Sequence, residues 1–123
     1  MKKILIVEDE GLVALYLKKV LNEYGYEEIL VARNGEEAIL KAEQSSPDLV
    51  LMDIRLGKGI NGIEAVKQIN SASKIPVIYI TASTDEYTHK EALETKPIAI
   101  LSKPIEPEEL KEMVNNYFED YKN

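Results

Sequence analysis

Short apolar runs recur along the chain at Ile4–Val7, Ile29–Ala32, Leu49–Met52, Val77–Ile80 and Ile98–Leu101, and none alternates with polar residues. Unbroken runs of this length are expected of strands covered on both faces, as in a parallel sheet. Between them, apolar residues recur at helical spacing. The spacing predicts strands near 3–8, 28–32, 48–53, 76–81 and 98–102. It predicts helices near 10–24, 35–45, 62–72, 85–95 and 107–121. The first helix places Val13, Leu17, Val20, Leu21 and Tyr24 on one stripe and stops at Gly25. Ala38, Ile39 and Ala42 form the stripe of the second, and Ile63, Val66 and Ile69 that of the third. The last starts at Pro107, a favourable first-turn residue, and carries Leu110, Met113, Val114, Tyr117 and Tyr121 inward. Tyr117, Phe118 and Tyr121 together exceed what one inner stripe needs, which leaves an apolar contact surface open beside ordinary amphipathic packing.

Strand and helix alternate throughout with short connections, so the expected fold is α/β: five right-handed βα units in a doubly wound three-layer sandwich. The strand order 2-1-3-4-5 is taken over from flavodoxin-like sheets rather than derived. With 123 residues, 45% of them hydrophobic, the chain fits one domain spanning 1–123. A net charge of −7 argues against a nucleic-acid binder, which needs a basic face. The absence of cysteine excludes disulfides and thiolate metal sites, and a single histidine excludes His-rich ones. That histidine, His89, lies in a polar stretch and reads as surface. Lys2-Lys3 and four aliphatics after Met1 are too few for a leader or a membrane helix, so the expectation is a cytoplasmic protein with no membrane partner.

In such sheets ligands bind outside the carboxyl ends of the strands. Four of the five runs deliver polar groups there: Glu8-Asp9, then Asp53, Thr81 and Lys103. The run ending at Ala32 carries none. Taken singly, each has an ordinary explanation. Acids suit a helix N-terminus, a lone Asp caps or turns, Thr favours strands and a terminal Lys is solvated. Together, three carboxylates on one rim repel one another unless a cation lies between them. Hard oxygen donors without Cys or a useful His point to Mg²⁺, which keeps open positions for phosphate oxygens. Lys103 precedes Pro104, and a cis bond there is one way to aim the ammonium back into the crevice. A carboxylate left over beside a metal, an ammonium and a hydroxyl suits formation of an aspartyl phosphate.

Val7-Glu8-Asp9-Glu10, Leu51-Met52-Asp53, Ile80-Thr81-Ala82 and Lys103-Pro104 stand in the order and at the spacing of a known family. The chain resembles the receiver domain of two-component response regulators over essentially its whole length. The resemblance implies that Asp53 accepts phosphate from a phosphohistidine on a sensor histidine kinase or phosphotransfer protein. It implies that Asp9, Asp53 and the backbone carbonyl of Arg55 hold Mg²⁺, with Glu8 acting through water. Thr81 and Lys103 then contact the phosphoryl oxygens, and Thr81 with residue 100 forms the switch. Such a domain catalyses its own phosphorylation and dephosphorylation rather than turnover of external substrates, and controls an effector that the sequence does not name. A weak homodimer is left open.

Three positions depart from the family pattern. Glu8 stands where Asp is also common, with a longer reach. The loop Ile54–Gly62 lacks the usual proline and is one residue longer. Ile100 replaces the Tyr or Phe that commonly rotates on activation, so the readout is expected to run through Ala82-Ser83-Thr84 and the helix at 85–95. The rivals are a pseudo-receiver acting as a constitutive binding module, an aspartyl-phosphate phosphatase, and an FMN binder. Arg55, standing where a phosphatase needs its second Asp, weighs against the phosphatase. The intact acid–Asp–Thr–Lys set weighs against the pseudo-receiver, and Glu8-Asp9-Glu10 would repel a flavin phosphate.

Overall fold

A computed structural model describes residues 2–82 and 85–120. Five strands and five helices alternate: β1 (Lys3–Val7), α1 (Gly11–Glu23), β2 (Glu28–Ala32), α2 (Gly35–Ser45), β3 (Leu49–Asp53), α3 (Gly62–Ala72), β4 (Val77–Thr81), α4 (Glu86–Glu94), β5 (Ala99–Ser102) and α5 (Pro107–Asp120). The sheet is parallel in the order β2-β1-β3-β4-β5, as expected. Each end lies within two residues of its expected place. Ser83, Thr84 and Tyr121, which the sequence reading assigned to the switch loop and the last helix, lie outside the described residues.

Local chemistry explains the boundaries. At the end of α1, the N–H of Tyr26 bonds the carbonyl of Leu21 and that of Gly25 bonds Asn22, with Gly25 at φ +97°. This is the left-handed stop that glycine adopts without side-chain strain. Asn34 caps α2 by accepting from the Glu37 N–H, and Asn61 with Glu64 forms a reciprocal capping box on α3.

The sheet divides two cores. On one face Leu17, Val20 and Leu21 of α1 join Leu110, Val114 and Phe118 of α5 over Ile4, Ile6, Leu49, Leu51, Ile78 and Ile80. On the other, α2, α3 and Ala92 of α4 cover Leu5, Val7, Val50, Met52, Val77 and Tyr79. Phe118 thus belongs to the inner stripe, stacked at a tilt on Tyr26, and is not spare apolar surface. The runs are not all doubly covered. β1, β3 and β4 are buried almost throughout, while the edge strands β2 and β5 stay half-exposed because each has a neighbour on one side only.

Candidate functional site

The register sets the rim. Val7 pairs with Met52, Asp53 with Ile80 and Thr81 with Ser102, so the residues that end β1, β3, β4 and β5 meet at one edge. Glu8, Asp9 and Asp53 each offer a carboxylate oxygen within 4.8 Å of the others. Glu8, Asp53 and Thr81 are the buried polar residues of the molecule among those described.

The acids do not cap α1. Its N-cap is Glu10, whose side chain makes no capping bond, and its first turn contains no acid. Glu8 instead turns inward. One carboxylate oxygen accepts from the Glu10 N–H at 3.1 Å and the other from Lys103 Nζ at 2.7 Å. Lys103 also donates to Asp53 Oδ2 at 3.1 Å, and the Arg55 N–H donates to Asp53 Oδ1 at 3.2 Å. The Lys103–Pro104 peptide is cis. Its two bonds place the Lys103 ammonium inside the crevice, bridging the strand that carries the acid pair and the strand that carries Asp53.

Burial pushes the Glu8 carboxyl up to about 7, and the charge of Asp53 adds to the rise while the Lys103 and Glu10 hydrogen bonds oppose it. Burial works against the Lys103 ammonium, but its bonds to Glu8 and Asp53 outweigh that and hold it above its ordinary value. Three carboxylates against one ammonium leave the crevice short of positive charge. The donors are all hard oxygens, and Asp9, unlike Glu8 and Asp53, forms no ion pair among the described residues. That donor set fits Mg²⁺.

Gly62 lets α3 start directly on this floor. Its N–H bonds the Ile54 carbonyl at 2.8 Å, and a Cβ there would lie 2.2 Å from the Asp53 carbonyl oxygen. Only a residue without a side chain brings the helix that close to the residue beneath it. On the far side, Ile100 is partly buried beside its register partner Tyr79. The Tyr79 hydroxyl meets Thr95 Oγ1 at 2.7 Å, and Thr95 in turn donates to the Ala92 carbonyl. Burial pushes the Tyr79 phenol up to about 12.

Sequence reasoning missed one group at this rim. Arg33, the residue after β2, donates from Nη2 to the Asp9 carbonyl at 2.7 Å. The edge of β2 therefore does send a polar group to the site. Its position immediately after the run was the available signal, but an exposed arginine beside a turn has no distinctive local pattern.

Comparisons with known proteins bear on the family and the fold. The family model described as response regulator receiver domain matches residues 4–115. The chain is 36% identical over 114 residues to the alkaline phosphatase synthesis transcriptional regulatory protein PhoP of Bacillus subtilis, covering 92% of this chain and 47% of that protein. It is 32% identical over 115 residues to the chemotaxis protein CheY of Thermotoga maritima, covering 93% and 95%. The chain thus spans about half the length of PhoP and of several other curated relatives, and nearly all of that CheY. Among solved structures it is similar to the signal receiver domain of a modulated diguanylate cyclase from Desulfovibrio desulfuricans, with a TM-score of 0.90, 33% identity and coverage of 99% and 97%.

Proposed function

The chain belongs to the response regulator receiver domain family, and on that premise we propose that it accepts a phosphoryl group on Asp53 in a Mg²⁺-dependent transfer from a histidine kinase or phosphotransfer protein. The observation that carries the proposal is the Lys103 ammonium held between Glu8 and Asp53 at 2.7 and 3.1 Å, beside an Asp9 carboxylate that no cation engages among the described residues. A carboxylate oxygen of Asp53 attacks phosphorus as the bond to the donor's imidazole nitrogen breaks. Lys103 and the Thr81 hydroxyl then face the phosphoryl oxygens and offset their charge. Asp9, Asp53 and the Arg55 carbonyl would hold the metal, with Glu8 beyond them through water. The ion supplies Lewis-acid neutralisation of the transferred group and helps align it.

A protein donor suits the surface beside the rim. Leu12 and Tyr16 of α1 are exposed and line an apolar groove with Lys103, Pro104 and Ile105. The transfer would switch the domain's surface for a downstream partner, through Thr81 and α4 rather than Ile100. A cytoplasmic setting accords with the reading, and no helix among the described residues is long and apolar enough to cross a membrane.

The test is incubation with acetyl phosphate and Mg²⁺, followed by intact mass and site mapping. The parent should gain the mass of one phosphoryl group, and Asp53→Asn should gain none while keeping its fold. Equal labelling of the two proteins would remove Asp53 as the acceptor.

A further inference from the structure

We propose that Arg33 is a positioning residue for the cation site: it holds the Asp9–Glu10 peptide so that the Asp9 carboxylate faces the crevice. This rests on the metal-site reading above and extends it to a residue outside the acidic cluster.

The Asp9–Glu10 peptide is gripped at both ends. Its carbonyl accepts from Arg33 Nη2 at 2.7 Å, and its N–H donates to Glu8 Oε2 at 3.1 Å. One residue earlier, the Glu8 N–H bonds the Ala32 carbonyl at 3.0 Å. Two consecutive residues at the end of β2, Ala32 and Arg33, therefore hold two consecutive acids at the end of β1. A peptide plane fixed at its oxygen and its nitrogen sets the backbone torsion that follows the Asp9 Cα, and with it the direction of the side chain. Without the Arg33 bond, the plane would be held only through Glu8, a group already committed to Lys103.

The choice of acceptor matters. Arg33 takes the main-chain oxygen of Asp9 and forms no ion pair with its carboxylate. The guanidinium steadies the ligand without occupying the atoms that a cation needs. A hydrogen bond from a charged donor is among the stronger kinds. The guanidinium lies over Gly11, where a Cβ would meet Nη2 at an ordinary contact distance of 3.4 Å.

Three roles for Arg33 differ in the sign of one measurement. As a positioning residue, its loss weakens Mg²⁺ binding. As a mere nearby positive charge, its loss strengthens binding, because a repulsion disappears. As a surface residue, its loss changes nothing. Mg²⁺ affinity is measured by calorimetric titration of the full chain, with Arg33→Met to remove charge and donors at similar length and Arg33→Lys to keep the charge and a donor. Arg33→Met should lose about tenfold in affinity, at the low end of what outer partners of metal ligands contribute. Arg33→Lys should recover most of it. The Glu10 amide resonance should shift in Arg33→Met without metal, and the melting transition in EDTA should lie far enough above the titration temperature that the variant is fully folded. Unchanged or tighter Mg²⁺ binding by Arg33→Met overturns the proposal. The same titration includes the parent and Asp9→Ala. If the parent does not bind, or Asp9→Ala binds as the parent does, the metal-site reading fails and this inference falls with it. If those two behave as expected and only Arg33→Met is unaffected, the positioning role alone is wrong.

Discussion

Helices α3 and α4 leave the same rim of the sheet from neighbouring strands, yet they are attached very differently. α3 follows Asp53 and buries Gly62, Ile63, Ala65, Val66 and Ile69, with a reciprocal capping box at its start. α4 follows Thr81 and buries Ala92 alone, while Tyr87 and Leu93 stand 74% and 52% exposed. α4 is held mainly at its C-terminal end, where Thr95 joins the Tyr79 hydroxyl. The helix after Asp53 is packed into the core, and the helix after Thr81 is held by one buried residue and a bond at its far end. On the phosphoacceptor reading proposed above, this division suits a domain that holds its reacting groups still while moving a surface, since mobile elements come from the weakly packed end of a structure.

The largest expected effect tests the packing contrast directly. Ile63→Ala should cost about 2–5 kcal/mol of unfolding free energy in urea, the usual range for emptying a buried aliphatic site. Leu93→Ala on α4 should stay within about 0.5 kcal/mol, as surface changes do. Comparable losses at the two positions would mean that α4 is packed as firmly as α3.

A smaller effect sits at the C-terminal attachment of α4. Tyr79→Phe removes one buried hydrogen bond and should cost about 1 kcal/mol. Amide exchange should speed up at residues 92–96 and stay unchanged across 62–72. If protection falls equally in both helices, the hydroxyl pair is part of the general core and not an anchor for α4.

The link between the two sides has a pH signature. Lys103 ties β5 to Glu8 and Asp53, and the Glu8 carboxyl is raised from its ordinary 4.5 to about 7. Between these values the folded state binds more protons than the unfolded chain, so stability should fall as pH rises from about 4.5 to about 7 and level off above. Glu37 and Asp85 are shifted downward and act only at more acidic pH, with the opposite sign. Glu8→Gln should flatten the slope, and saturating Mg²⁺ should flatten it too by favouring ionised carboxylates. A slope that survives Glu8→Gln would assign it to another group.

The subtlest test compares the two helices under activation. On adding beryllofluoride with Mg²⁺, exchange should change at residues 85–95 and little at 62–72, with Ile100 keeping one rotamer because β-branching leaves it few alternatives. Repacking of Ile100 with α4 unmoved would reverse the proposed readout.

Much of this was legible in the sequence. Unbroken apolar runs and helical spacing are local signals, and Asn34, Gly25, Asn61 and Pro107 mark element ends through chemistry that acts within a few residues. Once the runs are strands of one parallel sheet, their last residues must share a rim, so Glu8, Asp9, Asp53, Thr81 and Lys103 could be grouped before any coordinates. Tertiary structure alone decided what those groups do to one another. Lys103 bonds a carboxylate 95 positions away, Arg33 a carbonyl 24 away and Tyr79 a hydroxyl 16 away. It also settled that Phe118 faces the core, that α4 is nearly unpacked beside α3, and that the β2 edge contributes after all. Periodicity encodes which face of an element is apolar. The partner of a polar atom depends instead on strand register, loop path and distance between residues far apart in the chain, and those exist only once the sheet has formed.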